Sequence, residues 1–257
     1  MTILEEILEE KAKEVAKLKK SYDSIKTNKL PYNRSLYQTF MTSDYMNIIA
    51  EIKRASPSKG MINPDVIPSS QALDYQKYGA GAISVLTDEP FFKGSMEDLI
   101  AVKKQVAIPI LNKDFIIDEI QIDRARDAGA DVVLLIAAAL SPERLQILFD
   151  YATNKGLEVL FEVHNQAELA IAQTIGASII GINNRDLKTF QVDLAITEQL
   201  AAQIDTSHTL VISESGMRTR EDVERVKRAG VKGILVGETM MRSPTLDKTF
   251  EQLRVKL

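Results

Sequence analysis

The chain has 257 residues, 45% of them hydrophobic, enough for one large barrel domain or two small ones with cores that need no covalent staples. It has no cysteine, which excludes a disulfide framework, a thiolate metal site and a cysteine nucleophile; its two histidines, His164 and His208, stand far apart and disfavour zinc. The net charge of −4, with acids and bases interspersed, carries no nucleic-acid footprint, and no apolar run nears the roughly 18 residues of a membrane span.

A cytoplasmic protein is expected, because the segment from Glu5 onward is acidic and lacks the apolar stretch of a secretory leader. Residues 2–20 carry Leu4, Ile7, Leu8, Val15 and Leu18 near helical spacing, with Glu and Lys elsewhere. The run is short for a coiled coil, so a helix capping one end of the domain is expected, within an N-terminal helical extension over residues 1–45.

From residue 47 a phrase recurs: amphipathic helix, glycine, short apolar run. The apolar runs are NIIAEIK (47–53), AISVLT (82–87), IPILNKD (108–114), VVLLIA (132–137), LEVLFEV (157–163), IIGIN (179–183), TLVISES (209–215) and GILVG (233–237). Gly79, Gly129, Gly156, Gly176 and Gly230 precede five of them, at the position where a helix ends in a left-handed turn. The runs are rich in β-branched residues and nearly all apolar, as parallel strands covered on both faces should be. Between them, Ser141-Pro142-Glu143 and Thr219-Arg220-Glu221-Asp222 carry helix-start chemistry. Strict alternation of strand and helix means a parallel sheet, open or closed. Eight repeats without a Gly-x-Gly-x-x-Gly first turn favour the closed form, an α/β fold of the (β/α)8 TIM-barrel type, as a single domain over residues 1–257.

In such a barrel the active site lies at the C-terminal ends of the strands, where polar residues stand out against an apolar interior. The first strand ends Glu51-Ile52-Lys53, with both charges on one face by period-2 alternation. The third ends Asn112-Lys113-Asp114, the fifth carries Glu162, the sixth ends Asn183-Asn184-Arg185 and the seventh Ser213-Glu214-Ser215-Gly216. Structural salt bridges are the alternative reading, but charges from five strands at one rim are costly unless a ligand or catalysis uses them. Ser215-Gly216 after the seventh strand and Gly237-Glu238 after the eighth match the usual barrel phosphate site. The segment Ser56-Pro57-Ser58-Lys59-Gly60 after the first strand could add a hydroxyl and a cation to it.

The segment EIKRASPSKG (51–60) resembles the signature of the indole-3-glycerol-phosphate synthases of tryptophan biosynthesis, as do KDF (113–115), EVH (162–164), INNRDL (182–187), ISESG (212–216) and LVGE (235–238). Order and spacing match along essentially the whole chain. The resemblance implies ring closure, decarboxylation and dehydration of 1-(2-carboxyphenylamino)-1-deoxyribulose 5-phosphate to indole-3-glycerol phosphate, carbon dioxide and water, with no metal or organic cofactor. It makes Lys113 the acid and Glu162 its partner. Lys53 would hold the departing carboxylate or protonate the departing hydroxide, and Glu51 would be the base or relay. Asn183, Arg185, Glu214 and Ser215 match positions that contact substrate hydroxyls or orient the charges. Ser56, Gly216, Gly237 and Glu238 belong with substrate binding, and Phe92, Phe115, Leu134 and Leu187 would wall the anthranilate ring, although each could equally be core.

Asn112 stands where many relatives carry arginine, and is expected to face away from the site. His164, just past the proposed glutamate, is likewise expected to point away as a satisfied structural histidine. Phosphoribosylanthranilate isomerase, a rival on the same fold, uses a cysteine base that this chain lacks; epimerase-like barrels need a metal with histidines. A non-catalytic phosphate-binding barrel would need only the loops after strands 7 and 8, and none of the two lysines and two glutamates. The expected partner is a small phosphorylated molecule, neither nucleic acid nor membrane, bound by a monomer.

Overall fold

The computed structural model describes residues 2–22 and 34–257; Met1 and residues 23–33 of the expected extension lie outside the described residues. Each apolar run forms one strand: β1 (Asn47–Ile52), β2 (Ala82–Leu86), β3 (Ile110–Lys113), β4 (Val132–Ile136), β5 (Glu158–Val163), β6 (Ile179–Asn183), β7 (Leu210–Glu214) and β8 (Gly233–Val236). The strands are parallel and paired in chain order, and β1 pairs with both β2 and β8, so the sheet closes into a barrel. A small antiparallel hairpin, Ala55–Ser56 with Gly60–Met61, follows β1.

The helices in chain order are α1 (Ile3–Ser21), α2 (Leu36–Met41), α3 (Pro68–Lys77), α4 (Glu89–Phe92), α5 (Met96–Lys103), α6 (Glu119–Ala128), α7 (Pro142–Asn154), α8 (Gln166–Ile175), α9 (Ala195–Ala201), α10 (Arg220–Lys227), α11 (Glu238–Met241) and α12 (Leu246–Leu253). None of the described helices is long and apolar enough to cross a membrane. The expected starts are real: Ser141 and Thr219 cap α7 and α10 through their side chains. The glycines Gly79, Gly129, Gly156, Gly176 and Gly230 all take positive φ where the chain leaves a helix for the next strand.

The expected helical cap divides into two parts with different jobs. Helix α2 closes the floor of the barrel. Glu158, the first residue of β5, accepts from Leu36 N at 2.6 Å and Tyr37 N at 3.2 Å, and from the Ser35 hydroxyl, so a carboxylate satisfies the open end of α2. Leu36 and Phe40 then pack fully buried against Ile49, Ala82, Leu111, Val132 and Leu210. Gly233 makes room for the ring, since a Cβ there would lie 2.6 Å from Phe40 Cδ2. Helix α1 instead lies against the outer wall near α6, and its first turns reach the mouth.

Because Phe40 fills the floor completely, Phe40→Ala should lower unfolding free energy by about 3–5 kcal/mol. An unfolding free energy from urea denaturation within about 1 kcal/mol of wild type would show that this ring does not close the barrel.

Candidate active site

Period 2 sorts each strand into two sets. Ile49, Leu111, Leu134, Leu160, Ile212 and Leu235 face the barrel interior, while Ile48, Val133, Phe161, Val211 and Val236 face the helices. Glu51, Lys113, Glu162, Asn183 and Glu214 are the last interior-facing residues of their strands, and Lys53 keeps the same parity just past β1, so they rise above the apolar layers into one cavity. Ser56, Phe92, Phe115, Leu134, Arg185, Leu187, Ser215, Gly216, Gly237 and Glu238 line the same cavity. The structure thus brings together every residue expected at the site. Leu134 is at once cavity lining and interior core.

Lys113 is the centre of the cluster. Its Nζ lies 3.0 Å from Glu162 Oε2 and 2.8 Å from Glu214 Oε2. Burial opposes its charge, but Glu162, Glu214 and Glu51 outweigh it and hold the ammonium above the usual lysine range. Burial likewise opposes the charge on Glu162, and Lys113 and His164 overcome it, keeping this carboxyl well below the usual range. Glu214 goes the other way: burial, with Glu162 and Glu51 nearby, pushes it up to about 7 despite Lys113. Asn183 Nδ2 donates to Glu162 Oε1 at 3.0 Å. Lys53 Nζ donates to Glu51 Oε1 at 2.6 Å, forming a second lysine–glutamate pair beside Gly237.

The walls differ in chemistry. Phe92 and Phe115 face each other with centroids 5.9 Å apart. Across the mouth, Ser215 and Gly216 take consecutive left-handed conformations (φ 66° and 94°), and α11 begins directly after Gly237. A Cβ on Gly216 would meet Val192 Cγ1 at 2.7 Å in a conformation that already favours glycine. The hairpin after β1 brings Ser56 to the rim and Lys59 Nζ within 3.9 Å of Glu238. Arg185 is set by its backbone N–H to Asn183 Oδ1 at 3.0 Å, and its guanidinium donates to the Phe190 carbonyl at 3.2 Å.

The family model for indole-3-glycerol phosphate synthase matches residues 4–253. The chain is 55% identical over 257 residues to the indole-3-glycerol phosphate synthase of Oceanobacillus iheyensis, covering 100% of this chain and 98% of that protein. It is 50% identical over 256 residues to the protein of the same name from Bacillus cereus, covering 100% and 99%. The chain belongs to the indole-3-glycerol phosphate synthase family. It is therefore an enzyme, a carboxy-lyase of tryptophan biosynthesis. Among solved structures, it is similar to the N-acetylmannosamine-6-phosphate 2-epimerase from Clostridium perfringens (TM-score 0.64, 15% identity, 84% of this chain and 95% of that one). It is also similar to a 3-hexulose-6-phosphate synthase (TM-score 0.65, 16% identity, 81% and 98%), and both likenesses are of fold alone.

Two features of this barrel depart from the sequence reading. His164 does not point away. It stands two residues beyond Glu162, and its Nε2 lies 3.3 Å from Glu162 Oε1 while Nδ1 lies 3.0 Å from Glu168 Oε2. Asn112, by contrast, does face outward, donating to Thr87 Oγ1 at 2.8 Å. The second departure is α1, which sends Ile3, Leu4 and Ile7 into the cavity wall. It is held there by Lys11, only 1% exposed, whose Nζ lies 2.8 Å from Asp114 and 3.0 Å from Asp88. The available signal was positional: Lys11 falls between Ile7 and Val15 at i, i+4, i+8, inside the buried stripe.

The raised Glu214 has a thermodynamic consequence. Its folded value of about 7 exceeds the 4.5 of a free glutamate, so the associated stability is complete below about pH 4.5 and is lost as pH rises through about 7. Glu214→Gln should therefore raise the melting temperature relative to wild type at pH 8 and not at pH 4.5. Equal offsets at the two pH values would contradict the assignment.

Proposed function

We propose that this barrel converts 1-(2-carboxyphenylamino)-1-deoxyribulose 5-phosphate into indole-3-glycerol phosphate, carbon dioxide and water. The observation that carries this reading is Lys113, an ammonium fixed between Glu162 and Glu214 above the interior core and beside the Phe92–Phe115 wall. The anthranilate ring would lie against Phe92, Phe115, Leu134 and Leu187. The ring carbon bearing the carboxylate attacks the ketone carbon. The carbonyl electron pair moves to oxygen, which takes a proton from Lys113, and the nitrogen becomes an iminium balanced by Glu162.

Lys53 holds the carboxylate until the carbon–carbon bond to it breaks. The released pair restores the aromatic ring, neutralises the iminium and sets carbon dioxide free. In the dehydration, the hydroxyl leaves as water with a proton from Lys53, while Glu51 takes the proton from the carbon next to nitrogen. Because Lys53 and Glu51 are 2.6 Å apart, that proton can return directly to the lysine. The left-handed turn at Ser215–Gly216, the start of α11 after Gly237, and Ser56 and Lys59 of the hairpin support a phosphate seat opposite the aromatic wall. Asn183, Arg185, Ser215 and Glu238 are left to meet the substrate's hydroxyl and phosphate oxygens. We further propose a cytoplasmic monomer in which residues 1–257 form one catalytic domain, since a single chain supplies every residue of the proposed site.

Glu51→Gln should leave ring closure and decarboxylation running and stall dehydration, so rapid-quench analysis should find a decarboxylated, still hydroxylated intermediate. A melting curve on the same preparation separates this from unfolding. A Glu51→Gln protein that melts lower yet turns over normally would reduce the Glu51–Lys53 pair to a structural salt bridge.

A further inference from the structure

The two glutamates that face Lys113 are held very differently. Glu162 has Lys113 on Oε2, and both Asn183 and His164 on Oε1, at 3.0, 3.0 and 3.3 Å. Glu214 has Lys113 on Oε2, while its Oε1 is buried and meets no protein donor among the described residues. Donors converging on a carboxylate favour its charged form; burial with one donor and acidic neighbours favours the protonated form.

His164 is the element that makes the difference. Both its ring nitrogens face carboxylate oxygens, Glu162 on one side and Glu168 on the other. Ionised carboxylates only accept, so a ring protonated on both nitrogens is the form that suits both neighbours. The Nε2 contact is an electrostatic one at 3.3 Å rather than a well-aligned hydrogen bond, while the Nδ1 contact at 3.0 Å fixes the ring. Glu168 is itself anchored in the first turn of α8: its Oε2 takes His164 N–H at 2.8 Å and its Oε1 takes Asn165 Nδ2 at 2.6 Å. The groups facing this assembly are Glu162 from β5, Glu168 from α8 and, beyond Glu162, Lys113 from β3. Those facing Glu214 are Lys113, Glu162 and the Glu51 of β1.

We propose that His164 is a positioning residue that commits Glu162 to standing as a fixed anion beside Lys113, leaving Glu214 as the carboxyl that resupplies Lys113 with its proton. This rests on Lys113 being the acid of the ring-closing step. When an N–H bond of Lys113 breaks and an O–H bond forms on the substrate alkoxide, the O–H bond of the Glu214 acid breaks and the lysine N–H reforms. Glu214 then regains a proton from solvent, matching the one proton consumed when the substrate carboxylate leaves as carbon dioxide. Burial disfavours the imidazolium, but Glu162 and Glu168 outweigh it and carry His164 up to about 10, consistent with a permanent cation in this clamp.

Histidine-labelled protein gives a test that needs no turnover, because the chain has only two imidazoles, His164 and the exposed His208. Long-range proton–nitrogen spectra should show His164 doubly protonated from pH 6 to pH 9 in wild type, with its titration moving toward neutrality in Glu168→Gln. In steady-state assays, His164→Asn should lower kcat on the order of 10²-fold, leave KM within about twofold, and move the acidic limb of the kcat profile upward as Glu162 gains basicity. A neutral His164 ring at pH 7 in wild type would overturn the proposal. So would a folded His164→Asn enzyme with wild-type kcat and pH profile. Failure of the catalytic reading of Lys113 would leave the wild-type spectrum intact, so the two failures are distinguishable.

Discussion

The ammonium of Lys113 between Glu162 and Glu214 is the interaction on which this site depends. Side chains from β3, β5 and β7 meet there in a largely buried setting, with Lys113 Nζ 3.0 Å from Glu162 Oε2 and 2.8 Å from Glu214 Oε2. Removing Lys113 from such a cluster leaves the buried Glu162 anion without its principal counter-charge, a change that typically costs about 3–5 kcal/mol. The cluster exists because barrel closure brings non-neighbouring strands to a common axis, where last-position interior residues converge. An open sheet of the same strands would spread these side chains along an edge.

The same strands keep stability and chemistry apart along the barrel axis. At the floor, Leu36 and Phe40 of α2 seal the apolar layers, and Glu158 secures the helix that carries them. At the mouth, acids and bases replace the apolar residues. Lys11 differs from the charges at the mouth, because it is buried in ion pairs that hold structure. It ties α1 to Asp114, the neighbour of Lys113, and to Asp88, which caps the short helix bearing Phe92. One lysine on the outer helix therefore holds both the strand end that carries Lys113 and the aromatic wall.

Much of this was legible because it depends on local rules. The left-handed glycines before the strands and the period-2 parity of Glu51, Lys53, Lys113, Glu162, Asn183 and Glu214 follow from chain geometry within a few residues. What was hidden depends on long-range docking. Nothing between residues 1 and 45 says that α2 would plug the floor while α1 lies outside, since both present apolar faces of similar character. His164 was misplaced although, two residues past Glu162, it keeps that residue's parity and so its side of the strand. It lies one residue past the end of β5, and Glu168 on α8 then fixes the ring. The sequence ranked Glu162 as the partner of Lys113 and Glu214 among the orienting residues, but could not show that their donors and acidic neighbours differ.

In the proposed reaction the charge on Lys113 drives ring closure. The chain contains no tryptophan, so indole fluorescence after mixing with the carboxyphenylamino substrate rises over little background. Wild-type protein and Lys113→Met, a substitution that keeps the stem and removes the ammonium, should be compared in that assay at pH 7, with a melting curve for each. A loss on the order of 10²–10⁴ in rate from a folded variant is the predicted result. Comparable rates from the two proteins would contradict the account.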